Sequence, residues 1–134
     1  MVTKIESEDE FKEYVNTGEY CLVAFNARWS GPCKMMKPVL NSMSETYPTV
    51  KFCEVDVDDL ESVSAEAGVS AMPTYMVYSW GRVIDQLVGA GKERLEALAK
   101  KYNALPTPPQ PKYETVVESV DRSGDERLAV VQVQ

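Results

Sequence analysis

Ser30 and Cys33, three residues apart in Trp29-Ser30-Gly31-Pro32-Cys33-Lys34, are the residues of this chain whose spacing could do chemistry. Two cysteines at that spacing form a redox pair: an exposed thiolate of low pKa attacks a substrate disulfide, and the second thiol resolves the mixed disulfide. Here the attacking position carries a hydroxyl. Serine is not ionised at ordinary pH, and the chain has no histidine to act as its base, so Ser30 does not take over the thiol's role. Cys33 remains as a single thiol.

The elements around this loop read as alternating strands and helices. Tyr20 to Phe25 is a nearly continuous apolar run, as expected of a central strand covered on both faces. The loop follows it, and a helix is expected from about Cys33 to Tyr47, kinked at Pro38. Upstream, a short strand near Thr3 to Ile5 precedes a helix that Ser7-Glu8-Asp9-Glu10 opens as a capping box and Gly18 is placed to end. Downstream, Val50 to Val57 reads as a strand, and Asp58 or Asp59 caps a short helix that stops at Gly68. Thr74 to Ser79 and Arg82 to Val88 are strands joined by the turn signal Trp80-Gly81. Lys92 to Tyr102 closes the series as a helix with Leu95, Leu98, Ala99 and Tyr102 inward.

Composition narrows the function class. The 134 residues are 44% hydrophobic, enough for one domain with a real core. A net charge of −7 disfavours nucleic acid and anionic membrane surfaces, which recruit Lys and Arg. No apolar run approaches a membrane span, and the charged start (Lys4, Glu6, Glu8, Asp9, Glu10) is unlike a signal peptide, so a cytoplasmic location is expected. Three cysteines without metal-ligand spacing, and no histidine, give no basis for a metal, and no cofactor is expected. Cys21 and Cys53 fall in strands and read as small apolar core residues, as Met35 and Met36 read as helix packing.

Several stretches carry a resemblance. Leu22-Val23-Ala24-Phe25-Asn26-Ala27-Arg28-Trp29, Gly31-Pro32-Cys33-Lys34 with Pro38, Phe52-Cys53-Glu54-Val55-Asp56-Val57-Asp58-Asp59, Met72-Pro73-Thr74 and Gly89-Ala90 with Lys92-Glu93 occur in one order through residues 1 to about 105. In them the chain resembles the thioredoxins of the eukaryotic cytosolic kind. The resemblance implies an α/β thioredoxin fold, a central mixed sheet flanked by helices, in the order βαβαβαββα. It implies that Ser30 stands where the family has its nucleophilic cysteine, at a helix N-terminus, and that Cys33 is the buried resolving cysteine. Ala24 stands where the family has a buried aspartate that accepts and returns the resolving thiol's proton. Loss of nucleophile and base together reads as one functional change. Ser30 has two open origins, a natural replacement and a laboratory exchange of cysteine for serine, and Ala24 weighs toward the first.

The resemblance further implies a shallow groove for an extended peptide, built from Trp29, Gly31, Pro32, Met72, Pro73, Gly89 and Ala90. A cis Met72-Pro73 bond would aim the Met72 N–H and C=O at the partner by β-augmentation. The expected partners are extended proteins or peptides, with thioredoxin reductase added for a cysteine-containing parent. Neither nucleic acid nor membrane is expected.

Residues 106-112, with Pro106-Thr107-Pro108-Pro109-Gln110-Pro111, form a stiff spacer outside the resemblance. Residues 113-134 hold two valine-rich runs, Tyr113 to Val120 and Arg127 to Val133, around a turn-like Asp121-Arg122-Ser123-Gly124-Asp125. A β-hairpin is expected, a disordered tail being the alternative. As a hairpin it carries too much apolar surface to stand alone, and strand addition to its own sheet or to a second chain, giving a homodimer, is the expected outcome. Two functions of different class follow: a disulfide oxidoreductase lineage crippled at Ser30, and a redox-inactive binding or scaffold module acting through groove or tail.

Overall fold

The computed structural model describes residues 1–107 and 109–133, so Pro108 of the spacer and the terminal Gln134 lie outside the described residues. The elements are β1 (Val2–Lys4), α1 (Glu8–Val15), β2 (Cys21–Asn26), α2 (Gly31–Thr46), β3 (Lys51–Asp56), α3 (Glu61–Ala67), β4 (Thr74–Ser79), β5 (Arg82–Val88), α4 (Lys92–Ala104), β6 (Lys112–Val120) and β7 (Glu126–Val133). Up to α4 this is the βαβαβαββα order expected from the sequence.

Strand order in the main sheet is β1-β3-β2-β4-β5. The first three are parallel, β4 runs antiparallel to β2, and β5 antiparallel to β4. β2 is central, and its apolar run is explained by two cores, one on each face. Leu22, Ala24, Phe52 and Tyr75 face α2 and α4, while Val23, Phe25, Cys53 and Met76 face α1 and α3. Cys21 and Cys53 are fully buried, as expected of small apolar groups. Their sulfurs lie 3.9 Å apart across two neighbouring strands, a contact that sequence spacing did not announce. Burial, then the contact with Cys21, pushes the Cys53 thiol well up.

Local signals placed some helix ends and missed others. Ser7 Oγ accepts the Glu10 N–H at 3.1 Å, and Gly68 ends α3 at φ 74°. Gly18 has a different role from the expected helix stop: α1 ends at Val15, and a Cβ at Gly18 would stand 2.9 Å from the Trp80 ring. Asp58 and Asp59 do not cap α3, whose N-cap residue is Leu60. Asp56 Oδ1 instead accepts the N–H groups of both, folding the turn and releasing their carboxylates for the site described below. α2 runs through Pro38 as one helix from Gly31 to Thr46. The Trp80-Gly81 turn is formed with positive φ at both residues, 51° and 78°, the backbone twist that suits a two-residue hairpin.

The C-terminal segment is a hairpin, β6 antiparallel to β7 with a register shift between Val117 and Ser119. It forms its own two-stranded sheet, so strand addition to its own main sheet does not occur. Its base touches the core: Arg82 Nη1 donates to Gln132 Oε1, and Tyr113 helps line a cleft with Val15, Trp80 and Val83. Tyr20 Oη donates to the Pro106 carbonyl at 3.1 Å. Register puts Tyr113, Val117, Leu128 and Val130 on one face, each more than half exposed.

Candidate functional site

β2 delivers the chain to the loop and α2 takes it away, so the loop geometry is set at that junction. Ser30 has extended backbone and is the N-cap of α2, its Oγ accepting the Cys33 N–H at 3.4 Å. Both side chains are buried, each 5% exposed. Gly31 and Pro32 occupy the first turn, where a missing proline N–H costs nothing. The hydroxyl therefore preserves the helix start while supplying no thiolate.

The residues before the cap are fixed by carboxylates from the β3–α3 turn. Arg28 donates to both oxygens of Asp59 at 3.1 and 3.0 Å and lies 3.6 Å from Asp56. The hydrogen bond to Asp59 raises the Arg28 pKa and, reciprocally, lowers that of Asp59. Trp29 Nε1 donates to Asp58 at 3.0 Å while its ring remains 67% exposed. An indole held by its polar end with its apolar face in water is suited to recognition. In the sequence Arg28 carries no signal of a role of its own, and Asp58 and Asp59 read as helix-cap residues. The contact is long-range and only the fold reveals it.

Opposite the loop lies the start of β4. Register places Thr74 against Phe25 on one side and Val88 on the other. Met72-Pro73 and Gly89-Ala90 therefore come to the same end of the sheet as Trp29, Gly31 and Pro32. The Met72-Pro73 bond is cis. The Pro73 carbonyl accepts the Gly89 N–H at 2.8 Å, tying the two segments together. Among the described residues no hydrogen bond engages the Met72 main chain, two residues before the strand. Gly89 has φ 100°, which a side chain would strain.

Ala24 is fully buried on the α2 side of β2, level with Tyr75 on β4. Burial, and then the neighbouring Cys33 sulfur, raises the Tyr75 hydroxyl pKa. A carboxylate at Ala24 would meet the same dry surroundings.

Comparison with known proteins fixes the lineage. The thioredoxin family model matches residues 2–102. The chain belongs to the thioredoxin family, the thiol-disulfide oxidoreductase lineage. It is 49% identical over 102 residues to horse thioredoxin, covering 75% of this chain and 97% of that one, and 44% identical over 99 residues to human thioredoxin, covering 72% and 94%. Among solved structures it is similar to the thioredoxin of Malassezia sympodialis, with TM-score 0.75 and 36% identity over 78% of this chain and 92% of that chain. Plasmodium falciparum thioredoxin gives TM-score 0.74 and 37% identity over 75% and 99%. The family match ends before the β6–β7 hairpin. Among the described residues no helix is long and apolar enough to cross a membrane.

Proposed function

We propose that this thioredoxin-family chain has lost the two-cysteine reduction cycle and keeps the family's ability to hold an extended polypeptide. Ser30 stands in the nucleophile position and Cys33 in the resolving position, so a substrate disulfide finds no low-pKa thiolate to attack it. Ala24 removes the proton carrier as well. The observation that carries the reading is that Ser30 is a functioning N-cap: the loop keeps its architecture while lacking its chemistry. Trp29, Gly31, Pro32, Met72, Pro73, Gly89 and Ala90 form the binding groove, and the unengaged Met72 main chain supports strand-like pairing with a partner.

The chain divides into a thioredoxin domain (1-105), a Pro-rich linker (106-112) and the hairpin extension (113-134). A cytoplasmic location belongs to the same proposal, as does use of thioredoxin reductase by a parent carrying cysteine in place of Ser30. Dithiothreitol-driven reduction of insulin by this chain and by Ser30→Cys tests it. The expected result is no turnover above the thiol blank for the first and measurable turnover for the second. Turnover by the unaltered chain above the blank would overturn the loss of function.

A second reading, a binding or scaffold module acting through its tail, is favoured by the hairpin itself. A two-stranded sheet with an exposed apolar face is marginal alone in water. Pairing with the same hairpin of a second chain would cover that face and make a homodimer.

A further inference from the structure

Behind Cys33, away from the groove, the structure holds a second concavity. The parallel strands β1, β3 and β2 end side by side at Lys4, Asp56 and Asn26, and the first turns of α2 pass these ends. Between them lies a cavity of about 490 Å³ whose lining includes Lys4, Arg28, Cys33, Lys34, Lys37 and Glu54. Small-molecule sites span roughly 300–1,000 Å³, and open α/β sheets take ligands outside the carboxyl ends of their parallel strands. None of Trp29, Met72, Pro73, Gly89 or Ala90 lines it.

Its charge runs against that of the chain. Four cations and two carboxylates, Glu54 and Asp56, line it, in a protein of net charge −7. Arg28 is held by Asp56 and Asp59, and Lys37 stands 4.0 Å from Glu54. Among the described residues no carboxylate lies within ion-pair distance of Lys4 or Lys34. These two ammonium groups are left to meet an anion at the mouth. Cys33 stands in the wall, 5% exposed, with no hydrogen bond to its sulfur among the described residues. A buried thiol with no hydrogen-bond partner thus faces a cavity of ligand size lined by two lysines outside contact distance of any described carboxylate, Lys4 acting on Asp59 only at longer range.

We propose that Cys33 is a single-thiol modification site for a small disulfide bearing free carboxylates, of which a peptide disulfide such as oxidised glutathione is the chemical type. Lys4 and Lys34 hold the carboxylates. Cys33 releases its proton to solvent, and its thiolate attacks one ligand sulfur. A new Sγ–S bond forms as the ligand's S–S bond breaks, and the departing half leaves as a thiolate that takes up a proton. The ligand disulfide is the oxidant, so nothing further is required. Ser30 matters to the product: a cysteine there would displace the adduct, whereas its hydroxyl, committed to the Cys33 N–H, cannot. The adduct therefore persists until an external thiol removes it. This site does not depend on the groove.

The full chain is incubated at low salt with equal concentrations of glutathione disulfide, neutral 2-hydroxyethyl disulfide or cationic cystamine, and read by intact mass and peptide mapping. One half-disulfide per chain, at Cys33, is expected, with glutathione disulfide at least roughly tenfold faster than cystamine and the ratio shrinking as salt rises. Lys4→Glu with Lys34→Glu should lower the glutathione disulfide rate about tenfold, leave the neutral reagent within about twofold, and leave the melting temperature and peptide binding unchanged. Chain unfolded in urea, labelled in parallel, shows that each reagent is competent. Absence of adduct on the folded chain, adduct at Cys21 or Cys53 as fast as at Cys33, or equal rates for the anionic and cationic reagents would each overturn the proposal.

Discussion

Ser30 Oγ accepts the backbone N–H of Cys33 at 3.4 Å, so the two positions that would exchange thiols in an active relative are joined here as a helix cap and the third residue of its helix. A hydroxyl satisfies one of the N–H groups that the helix start leaves unpaired, while lacking the ionisable sulfur that makes the same place reactive. Structure and reactivity at this loop are separable. The residue that caps the helix start is the one that carries no thiol.

Ser30→Ala should therefore cost stability without changing any redox readout. Loss of an N-cap side chain costs about 1 kcal/mol, and for a domain near 100 residues that lowers the melting temperature by about 4–8 °C. Ser30→Asp should retain most of that stability, because a carboxylate caps equally well and suits the positive end of the helix. Thermal melts of the three proteins check this. Equal melting of Ser30→Ala and the parent would mean that the 3.4 Å contact contributes nothing.

Reconstruction of the chemistry should need two changes. Ser30→Cys supplies the nucleophile and should form a disulfide with Cys33, but proton transfer at the second thiol still lacks a carrier. Adding Ala24→Asp should raise insulin reduction on the order of 10²-fold, the contribution of a positioned acid–base group. The aspartate must enter a fully buried site among apolar side chains, so the double variant should be about 1–3 kcal/mol less stable than Ser30→Cys. Equal rates would show that Ala24 has no bearing on turnover.

Asp85 gives the molecule a measurable acid sensitivity. Partial burial by itself would raise its pKa, yet the hydrogen bonds from Tyr102, the Gln86 N–H and Lys101 outweigh it and hold the carboxyl below its usual value. Tyr102 Oη donates at 2.8 Å, fastening α4 to β5. Because the folded-state pKa is depressed, this stabilisation is fully present above the unfolded pKa of about 3.9 and is lost as pH falls through the folded value. Asp85→Asn should melt below the parent near neutral pH, and the gap should narrow as pH falls below the unfolded value of about 3.9. A constant gap across that range would exclude a role for the ionised carboxylate.

What could be read from the sequence was whatever short-range pattern encodes. The apolar run of β2, the Ser7 cap, the Gly68 stop and the Trp80-Gly81 turn each depend on residues a few positions apart, and each formed where expected. The misses are long-range. Asp58 and Asp59 looked like cap residues until the fold brought them to Trp29 and Arg28, which lie on a different strand–helix unit. Gly18 looked like a helix stop, whereas the approach of the Trp80 ring accounts for it. Cys21 and Cys53 touch only because parallel strands lie side by side. The cavity behind Cys33 has no sequence signature, since β1, β2, β3 and α2 all contribute to its wall.

The β6–β7 hairpin should make the chain a dimer. Its own main sheet does not take it up, and its strands present Tyr113, Val117, Val120, Leu128 and Val130 to solvent, between 51% and 68% exposed. Two strands alone are marginal, whereas packing one hairpin face to face on its copy across a two-fold axis would bring four strands together and bury both apolar faces. Light scattering should therefore report twice the 15.0 kDa chain mass for the full protein and a monomer for the chain truncated after Leu105. The truncated core should still melt cooperatively, because the hairpin contributes to neither buried cluster of the main sheet. Val117→Lys with Val130→Lys, placed on the exposed face where the folded monomer loses little, should give the monomer mass with the hairpin still present. A monomeric full-length chain at concentrations up to hundreds of micromolar would remove the homodimer and leave the apolar face to a different protein.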